Sequence, residues 1–176
     1  MKKKIVDLTL LLLPMSLHLK ASSNLQIEVS NQYKNLQFTE NSVGCFFDTF
    51  IPLHHHSLHG SLSLAFLDGE HHSRLHGQFL QDYRPTDVIT FPPDPEEDLA
   101  GEICVSVDQA INESKNHGLT FEKELSLYLI HGWLHLVGFN DLEDMDRKIM
   151  RQEEKKAMSL VEKHDTFPDF RLALGD

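Results

Sequence analysis

Apolar and polar residues alternate along this chain with two different periods, and each period predicts a type of secondary structure. A period of two, which places apolar side chains on one side of an extended chain, is typical of strands. Apolar spacings of three and four residues, which form a stripe on one face, are typical of helices. The first pattern predicts strands over 25–30, 62–66, 87–91 and 102–107. The second pattern predicts helices over 39–51, 70–80, 108–117, 120–136 and 142–163.

The mixed order of these elements predicts a single α+β domain, in which a small mixed four-stranded sheet packs with about five helices. The helix over 120–136 is apolar on most of its surface, so we expect it to be buried at the centre of the domain. Residues 1–24 are predicted to be an N-terminal extension, residues 25–163 the domain, and residues 164–176 a loosely ordered C-terminal tail.

Composition and charge narrow the function classes. The chain has 176 residues, of which 40% are hydrophobic, and this content is typical of a globular rather than a disordered protein. A net charge of −11 repels nucleic acid, so a role on RNA requires a local positive site such as a bound metal ion. The two cysteines, Cys45 and Cys104, are too few for a disulfide framework. They favour a reducing compartment, the cytoplasm.

The first residues resemble a secretory signal, because lysines at positions 2–4 precede an apolar run and small residues follow at 21–23. Asp7 interrupts the apolar run, and we therefore favour an extension that packs on the domain. The run is also too short and too interrupted for a membrane-spanning helix, so no membrane partner is expected.

The segment 131–141 carries the clearest candidate chemistry. His131 and His135 are four residues apart, which places both imidazoles on one face of the predicted helix, one turn apart. Gly138 offers an end to the helix, and the carboxylate of Asp141 follows ten residues after His131. Three protein ligands with one open position are typical of a catalytic zinc site. We therefore predict that these two histidines and Asp141 bind one divalent metal ion.

Two other interpretations of this segment remain open. Histidines at this spacing in an apolar helix can be ordinary packed residues with hydrogen-bond partners. The ten-residue span also resembles that of some metallopeptidases, but the H-E-x-x-H peptidases carry a general-base glutamate directly after the first histidine, where this chain has Gly132. The sequence thus favours a metal site that lacks the peptidase base.

A second group of histidines precedes the third predicted strand. No metal-ligand spacing in this group lies on a clear rigid element, so we predict a solvated loop and helix end. The group comprises His54, His55, His56, His59, His71, His72 and His76.

Three blocks of the sequence resemble the YbeY family. Residues 131–139 follow the signature H-G-x-L-H-L-x-G-[YF], residues 85–92 resemble its P-T-D-V-L-S-F-P block, and residues 101–103 resemble its G-D-I strand start. The order and spacing of the three blocks agree over roughly residues 25–163. The middle of the chain is therefore identified as a YbeY-like metallo-hydrolase domain.

The resemblance implies a metal-dependent endoribonuclease that cuts single-stranded RNA. We also expect a cytoplasmic protein that acts as a monomer. The resemblance implies work on the small ribosomal subunit, in maturation of the 3′ end of its ribosomal RNA and in ribosome quality control. It also implies a Zn²⁺ ion held by His131, His135 and Asp141. Attack on the phosphodiester would come from an activated water or from the RNA 2′-hydroxyl.

The sequence departs from the family at two positions. The family's third ligand is histidine, whereas this chain has Asp141, and a carboxylate makes Mn²⁺ or another oxygen-tolerant metal more plausible. Asn140 and Glu143 are less favoured third ligands. Leu80 occupies the position of a family arginine that is thought to act on RNA, and Arg84 or Arg74 are candidate replacements.

Three residues near the second block are candidate catalytic residues. Arg84 would stabilise developing negative charge on the phosphate. Thr86 and Asp87 would line the wall beside the metal and orient its ligands, although they equally suit an ordinary turn into a strand. The alternative function is a ribosome-assembly or RNA-binding factor in which the metal is structural, and a metallopeptidase is less favoured.

Overall fold

The computed structural model describes residues 19–20, 25–54 and 58–173. The strands are β1 (Leu19–Lys20), β2 (Leu25–Asn31), β3 (Leu36–Gln37), β4 (Gly60–Leu67), β5 (Val88–Phe91), β6 (Leu99–Ser106) and β7 (Arg171–Leu172). The α-helices are α1 (Glu40–Phe50), α2 (Gly69–Leu80), α3 (Val107–His117), α4 (Phe121–Leu136) and α5 (Asp144–His164). Short 3₁₀ turns lie at Ile51–Leu53 and Pro95–Glu97.

The main sheet is mixed and has the strand order β1-β2-β4-β6-β5. Its three central strands, β2, β4 and β6, are parallel, and the edge strands β1 and β5 are antiparallel to their neighbours. The four predicted strands and the α+β class are confirmed, and β1 adds a short edge strand that the pattern did not predict. The helices connect parallel neighbours as they must, because parallel strands cannot be joined by a tight turn.

The sheet separates two hydrophobic clusters of unequal size. The larger cluster joins one sheet face to apolar residues of α1, α4 and α5, including Phe46, Leu129 and Val161. The smaller one lies on the opposite face, where Leu75 of α2 packs against it. Alternation along β6 explains the division, because Ile103 faces the larger cluster and Cys104 the smaller one.

Helix α4 lies at the centre of the larger cluster, as predicted. The Thr120 hydroxyl caps its first turn by accepting a hydrogen bond from the Lys123 backbone N–H at 3.4 Å. Nine of its residues are buried, because it contacts the sheet, α3 and α5 on different sides. A helix surrounded in this way needs apolar residues on most of its surface.

The C-terminal segment is packed, so the prediction of a loosely ordered tail over residues 164–176 is wrong for residues 166–173. Phe170 is 4% exposed and its ring contacts the rings of Phe38 and Phe66. The Asp169 carboxylate accepts a hydrogen bond from the Thr39 backbone N–H at 2.7 Å, and β7 pairs with β3. These contacts join residues about 130 positions apart, and no local pattern predicts them.

The N-terminal extension is described only at β1, which pairs with β2. Residues 1–18 and 21–24, where the signal-like pattern falls, lie outside the described residues. In the part of the chain that is described, no helix has the length and apolar character needed to cross a bilayer.

Replacement of Phe170 by alanine should destabilise the protein by about 3–5 kcal/mol, because a buried aromatic side chain leaves a cavity. Leu172→Ala in the same segment is the matched control and should cost less than about 1 kcal/mol, since Leu172 is 37% exposed. Urea denaturation measures both values. Equal, small losses would show that the C-terminal segment does not pack on the core.

Candidate metal centre

The C-terminal end of α4 presents two imidazoles to each other. His131 and His135 lie on one face of the helix, and their Nε2 atoms are 3.0 Å apart. Their rings are nearly perpendicular, with centroids 4.5 Å apart. The predicted pairing of these two residues is therefore present in the fold.

The turn after α4 orients His135. Gly138 has a φ of +100°, a left-handed conformation that favours glycine, and the turn closes through a 2.9 Å bond from the Phe139 N–H to the Leu134 carbonyl. The turn brings the Phe139 carbonyl oxygen within 3.1 Å of His135 Nδ1. A carbonyl can only accept, so Nδ1 donates and a neutral His135 ring has its lone pair on Nε2.

Helix α5 orients His131. Glu154 Oε1 lies 2.6 Å from His131 Nδ1, and this carboxylate–imidazole contact directs His131 Nε2 toward His135. Sequence reasoning missed Glu154. One signal was present: Glu154 lies at helical spacing among the buried apolar residues Met150, Ala157 and Val161 of α5. A carboxylate on the buried face of a helix needs a partner.

The loop between α4 and α5 adds the carboxylate. Asp141 Oδ2 lies 3.6 Å from His131 Nε2, and one ligand atom from each of the three residues lies within 4.8 Å of the others. Arg147 holds this loop by donating to the Asp141 carbonyl at 3.1 Å. Asn140 Oδ1 accepts from the Asp141 N–H at 2.9 Å, so this amide oxygen has a backbone partner.

The arrangement fits a divalent metal ion. Bonds of about 2.0–2.1 Å to a tetrahedral Zn²⁺ place two ligand atoms about 3.3 Å apart, close to the observed separations. The donor set of two imidazoles and a carboxylate suits Zn²⁺ and also Mn²⁺. Among the described residues, this is the one group of three or more histidine, cysteine, aspartate or glutamate side chains with such proximity.

The two imidazoles titrate differently. Burial acts to lower the pKa of His131, but the hydrogen bond and charge of Glu154, with the charges of Asp87 and Asp141, raise it above its usual value. Burial and the neighbouring His131 hold the pKa of His135 below its usual value. A proton on the pair is therefore favoured on His131, where it competes with a cation for Nε2.

Thr86 and Asp87 immediately precede β5, the strand that packs against α4. The charge of Asp87 acts to raise the pKa of both imidazoles. Its neighbour Val88 packs against α4 at Gly132, the residue after His131, where a Cβ atom would lie 3.1 Å from Val88 Cγ2. Asp87 Oδ1 accepts from the Thr86 hydroxyl at 3.0 Å and from the Val88 N–H at 2.9 Å. The fold thus brings Asp87 to the ligand group and uses Thr86 to hold its carboxylate.

The candidate arginine is placed differently. Arg84 is exposed and its guanidinium pairs with Asp82, through Nε at 3.0 Å and Nη2 at 2.6 Å. Leu80, at the position of the family arginine, is 64% exposed at the end of α2. Arg74 pairs with Glu70 on the exposed surface of the same helix.

Position 132, where H-E-x-x-H peptidases have their general-base glutamate, has no space for a side chain. Gly132 faces the sheet, and a Cβ atom there would lie 2.6 Å from Ile103 Cγ2 and 3.1 Å from Val88 Cγ2. A glutamate has no space at this position, and its carboxylate would enter the core instead of the ligand group. The structure therefore removes support from the metallopeptidase alternative.

The second histidine group is not simply solvated, and that prediction is wrong for two members. His54 is 8% exposed and its Nε2 lies 3.3 Å from Glu153, while its ring packs against Phe139. His72 is 1% exposed and its Nε2 donates to the Cys104 carbonyl at 3.0 Å. Burial lowers the pKa of His72. His55 and His56 lie outside the described residues.

Glu154→Gln should weaken Zn²⁺ binding by about 10-fold to 100-fold, because the amide retains a hydrogen-bond acceptor but removes the charge that makes His131 a stronger ligand. Glu153→Gln is the matched control, since this neighbouring carboxylate contacts His54 and Lys156 instead of a predicted ligand. Calorimetric titration of both variants measures the effect. Equal affinities in the two variants would contradict the assigned role of Glu154.

Zn²⁺ affinity should fall as the pH is lowered through the raised pKa of His131. Below that pKa the imidazole is mainly protonated and Nε2 has no lone pair to offer, so each further pH unit should cost about 10-fold in affinity. In Glu154→Gln the pKa of His131 should decrease, and the loss should begin at lower pH. Titrations between about pH 5.5 and 8.5 test this, and a flat profile would contradict it.

Comparison with known proteins places the chain in a family. A family model described as Endoribonuclease YbeY matches residues 26–162. The Endoribonuclease YbeY of Protochlamydia amoebophila is 32% identical over 145 residues, which cover 80% of this chain and 96% of the relative. The Endoribonuclease YbeY of Carboxydothermus hydrogenoformans is 32% identical over 104 residues, which cover 58% of this chain and 73% of the relative. The solution structure of TM1509 from Thermotoga maritima is similar with a TM-score of 0.56 and 29% identity, covering 78% of this chain and 90% of that one. This chain therefore belongs to the YbeY family.

Proposed function

We propose that this protein is a metal-dependent endoribonuclease that cleaves single-stranded RNA. The observation that carries the proposal is the convergence of His131, His135 and Asp141, with ligand atoms within 4.8 Å of one another at the partly exposed end of α4. Membership of a family whose relatives are named endoribonucleases supports the same activity.

A bound divalent ion supplies Lewis acidity at the scissile phosphate and lowers the pKa of coordinated water. The remaining chemistry belongs to the side chains. Glu154 and the Phe139 carbonyl fix the two rings so that their Nε2 atoms point toward each other, where they would hold a divalent ion. Asp87 adds a negative charge beside the imidazoles, and Thr86 holds that carboxylate in position.

Arg84 is the proposed source of positive charge for the phosphate. Its Nε and Nη2 contact Asp82, and within the described chain no hydrogen bond is assigned to Nη1. The guanidinium therefore keeps N–H donors for a phosphate oxygen, although Asp82 offsets part of its charge. The strongly acidic net charge of the chain means that positive charge for RNA must be local, and Arg84 would add to that of a bound metal ion.

Zn²⁺ is the proposed cofactor, with Mn²⁺ as the alternative. The carboxylate of Asp141 gives the site one more negative charge than a neutral imidazole would. Water bound there is therefore less acidic than at a site with three histidines, and harder divalent ions compete better.

The proposed substrate is ribosomal RNA of the small subunit, with action at its 3′ end and in ribosome quality control. The proposed setting is the cytoplasm, with the protein acting as a monomer. These finer assignments rest on the likeness to the YbeY family and on no contact within the fold.

The decisive experiment measures cleavage of an end-labelled single-stranded RNA in Zn²⁺ or Mn²⁺. His135→Ala should reduce the rate by more than about 100-fold, because loss of an outer partner alone costs 10-fold to 100-fold at metal sites. His71→Ala is the matched control, since His71 is an exposed histidine paired with Asp68. Circular dichroism confirms that both variants fold. Equal cleavage by His135→Ala and the wild type would refute the proposal.

A ribosome-assembly factor with a structural metal is the second candidate. Leu80, at the position of the family arginine, and the pairing of Arg84 with Asp82 favour it, because both reduce the positive charge available for catalysis. In that case chelation should lower the melting temperature sharply while no divalent ion supports cleavage. Metal-dependent cleavage that His135→Ala abolishes without unfolding would exclude it.

A further inference from the structure

An aromatic ring lies exposed just after α2, in the segment that leads to β5. The side chain of Tyr83 is 67% exposed, and Phe79 and Leu80 beside it are 37% and 64% exposed. Phe79 packs its ring against that of Phe91 in the smaller hydrophobic cluster, with centroids 4.8 Å apart. Leu80 and Tyr83 contribute little to stability, because most of their surface remains in water. Folding therefore does not explain why Leu80 and Tyr83 are exposed.

One face of the Tyr83 ring rests on Gly77 of α2. A Cβ atom at Gly77 would lie 2.2, 2.3 and 2.5 Å from three consecutive ring carbons. Such similar distances place that position over the face of the ring and not beside its edge. A residue with a side chain would displace the ring, so glycine at 77 is what allows it to lie on the helix. The opposite face of the ring is left open to solvent.

The segment that carries this ring is fixed by hydrogen bonds and leads to Asp87, the carboxylate beside the candidate ligands. The Arg84 carbonyl accepts a hydrogen bond from His76 Nδ1 at 3.2 Å, and the Asp87 carbonyl accepts one from the Ser106 N–H at 2.9 Å. Tyr83 precedes Asp87 by four residues, so the two are at most about 14 Å apart. An oligonucleotide that passes Asp87 on its way to the candidate ligands would therefore need to span only a few nucleotides to reach the ring.

The chemistry of the surroundings favours a nucleobase as the occupant. Single-stranded RNA offers unstacked bases, which bind on flat aromatic rings and beside arginine guanidinium groups. Arg84 is adjacent to Tyr83, and 86% of its side chain is exposed. A protein partner would instead require a larger apolar surface, whereas Asp82 and Arg84 place charges between and beside the apolar residues.

We propose that Tyr83 is the stacking platform for one base of the single-stranded RNA substrate, close to the scissile phosphate. The absence of a side chain at Gly77 allows the Tyr83 ring to lie flat on α2. This assignment rests on the proposed nuclease function and adds a subsite that positions the substrate. Tyr83 takes no part in the chemical step, so its contribution appears in binding.

Tyr83→Ala should raise KM for a short single-stranded RNA by about 10-fold with kcat within about twofold, as expected for the loss of one base–aromatic stack. Tyr83→Phe retains the ring and should match the wild type. Leu119→Ala, which removes an apolar side chain that is 41% exposed elsewhere, is the control for surface truncation. An unchanged KM in Tyr83→Ala would overturn the proposal while leaving the nuclease assignment intact.

Binding is tested separately from cleavage with RNA that contains 2-aminopurine. When metal-loaded wild-type protein is added, stacking on the Tyr83 ring should quench the fluorescence of the 2-aminopurine base. Tyr83→Ala should not produce this quenching. Quenching without cleavage in any metal would refute the nuclease proposal but support the stacking site. Cleavage by the wild type without Tyr83-dependent quenching at any base would refute the stacking site alone.

An abasic scan identifies the contact itself. Removal of one particular base should weaken wild-type binding by about 10-fold and have no further effect in Tyr83→Ala, because the two changes delete the same interaction. Additive losses at every position would overturn the proposal.

Gly77→Ala provides a variant that keeps the tyrosine. The added methyl group should push the ring off the helix and weaken RNA binding as Tyr83→Ala does. Alanine is a better helix former than glycine, so the melting temperature should be unchanged or higher. A purely structural role of Tyr83 would instead couple weaker RNA binding to a lower melting temperature, and that result would contradict the proposal.

Discussion

Close packing of helix α4 against the sheet and against α5 determines where the metal ligands stand. Gly132 permits the contact with the sheet, since a Cβ atom there would lie 2.6 Å from Ile103. Glu154 of α5 makes the contact at the other side, through the imidazole of His131. The hydrophobic core thereby fixes both the position of α4 and its rotation about its own axis. Core packing therefore performs much of the ordering that a bound ion would otherwise have to impose on its ligands.

The two imidazoles are oriented by acceptors of different charge, and this makes them unequal. His131 donates to the Glu154 carboxylate, whereas His135 donates to the neutral Phe139 carbonyl. The charged partner raises the pKa of His131, and burial next to it lowers the pKa of His135. His131 is consequently the more basic ligand, and its protonation governs when the pair is free to bind a cation. The pH response of the site would thus depend on Glu154 of α5, which contacts His131 and is not one of the three candidate ligands.

Membership of the YbeY family does not by itself define the RNA contacts of this chain. Asp141 and Leu80 stand where the resemblance to the family leads us to expect histidine and arginine, so the chain has one more negative charge and one fewer positive charge at these positions. An acidic protein that binds RNA must then obtain affinity from other sources. Stacking on Tyr83 is one such source, because base–aromatic contacts depend little on net charge.

The sequence by itself determined the helices, the four main strands and the spacing that brings His131 and His135 together, because each depends on contacts within a few residues. It also indicated that α4 is central. Tertiary structure alone decided the pairing of His131 with Glu154, the burial of His54 and the packing of Phe170 on the core. Each of these contacts joins residues that are distant in the chain. The periodicity of apolar residues does not indicate which distant surfaces pack together. The glycine under the Tyr83 ring belongs to the same class, since its role depends on a contact that exists only after folding.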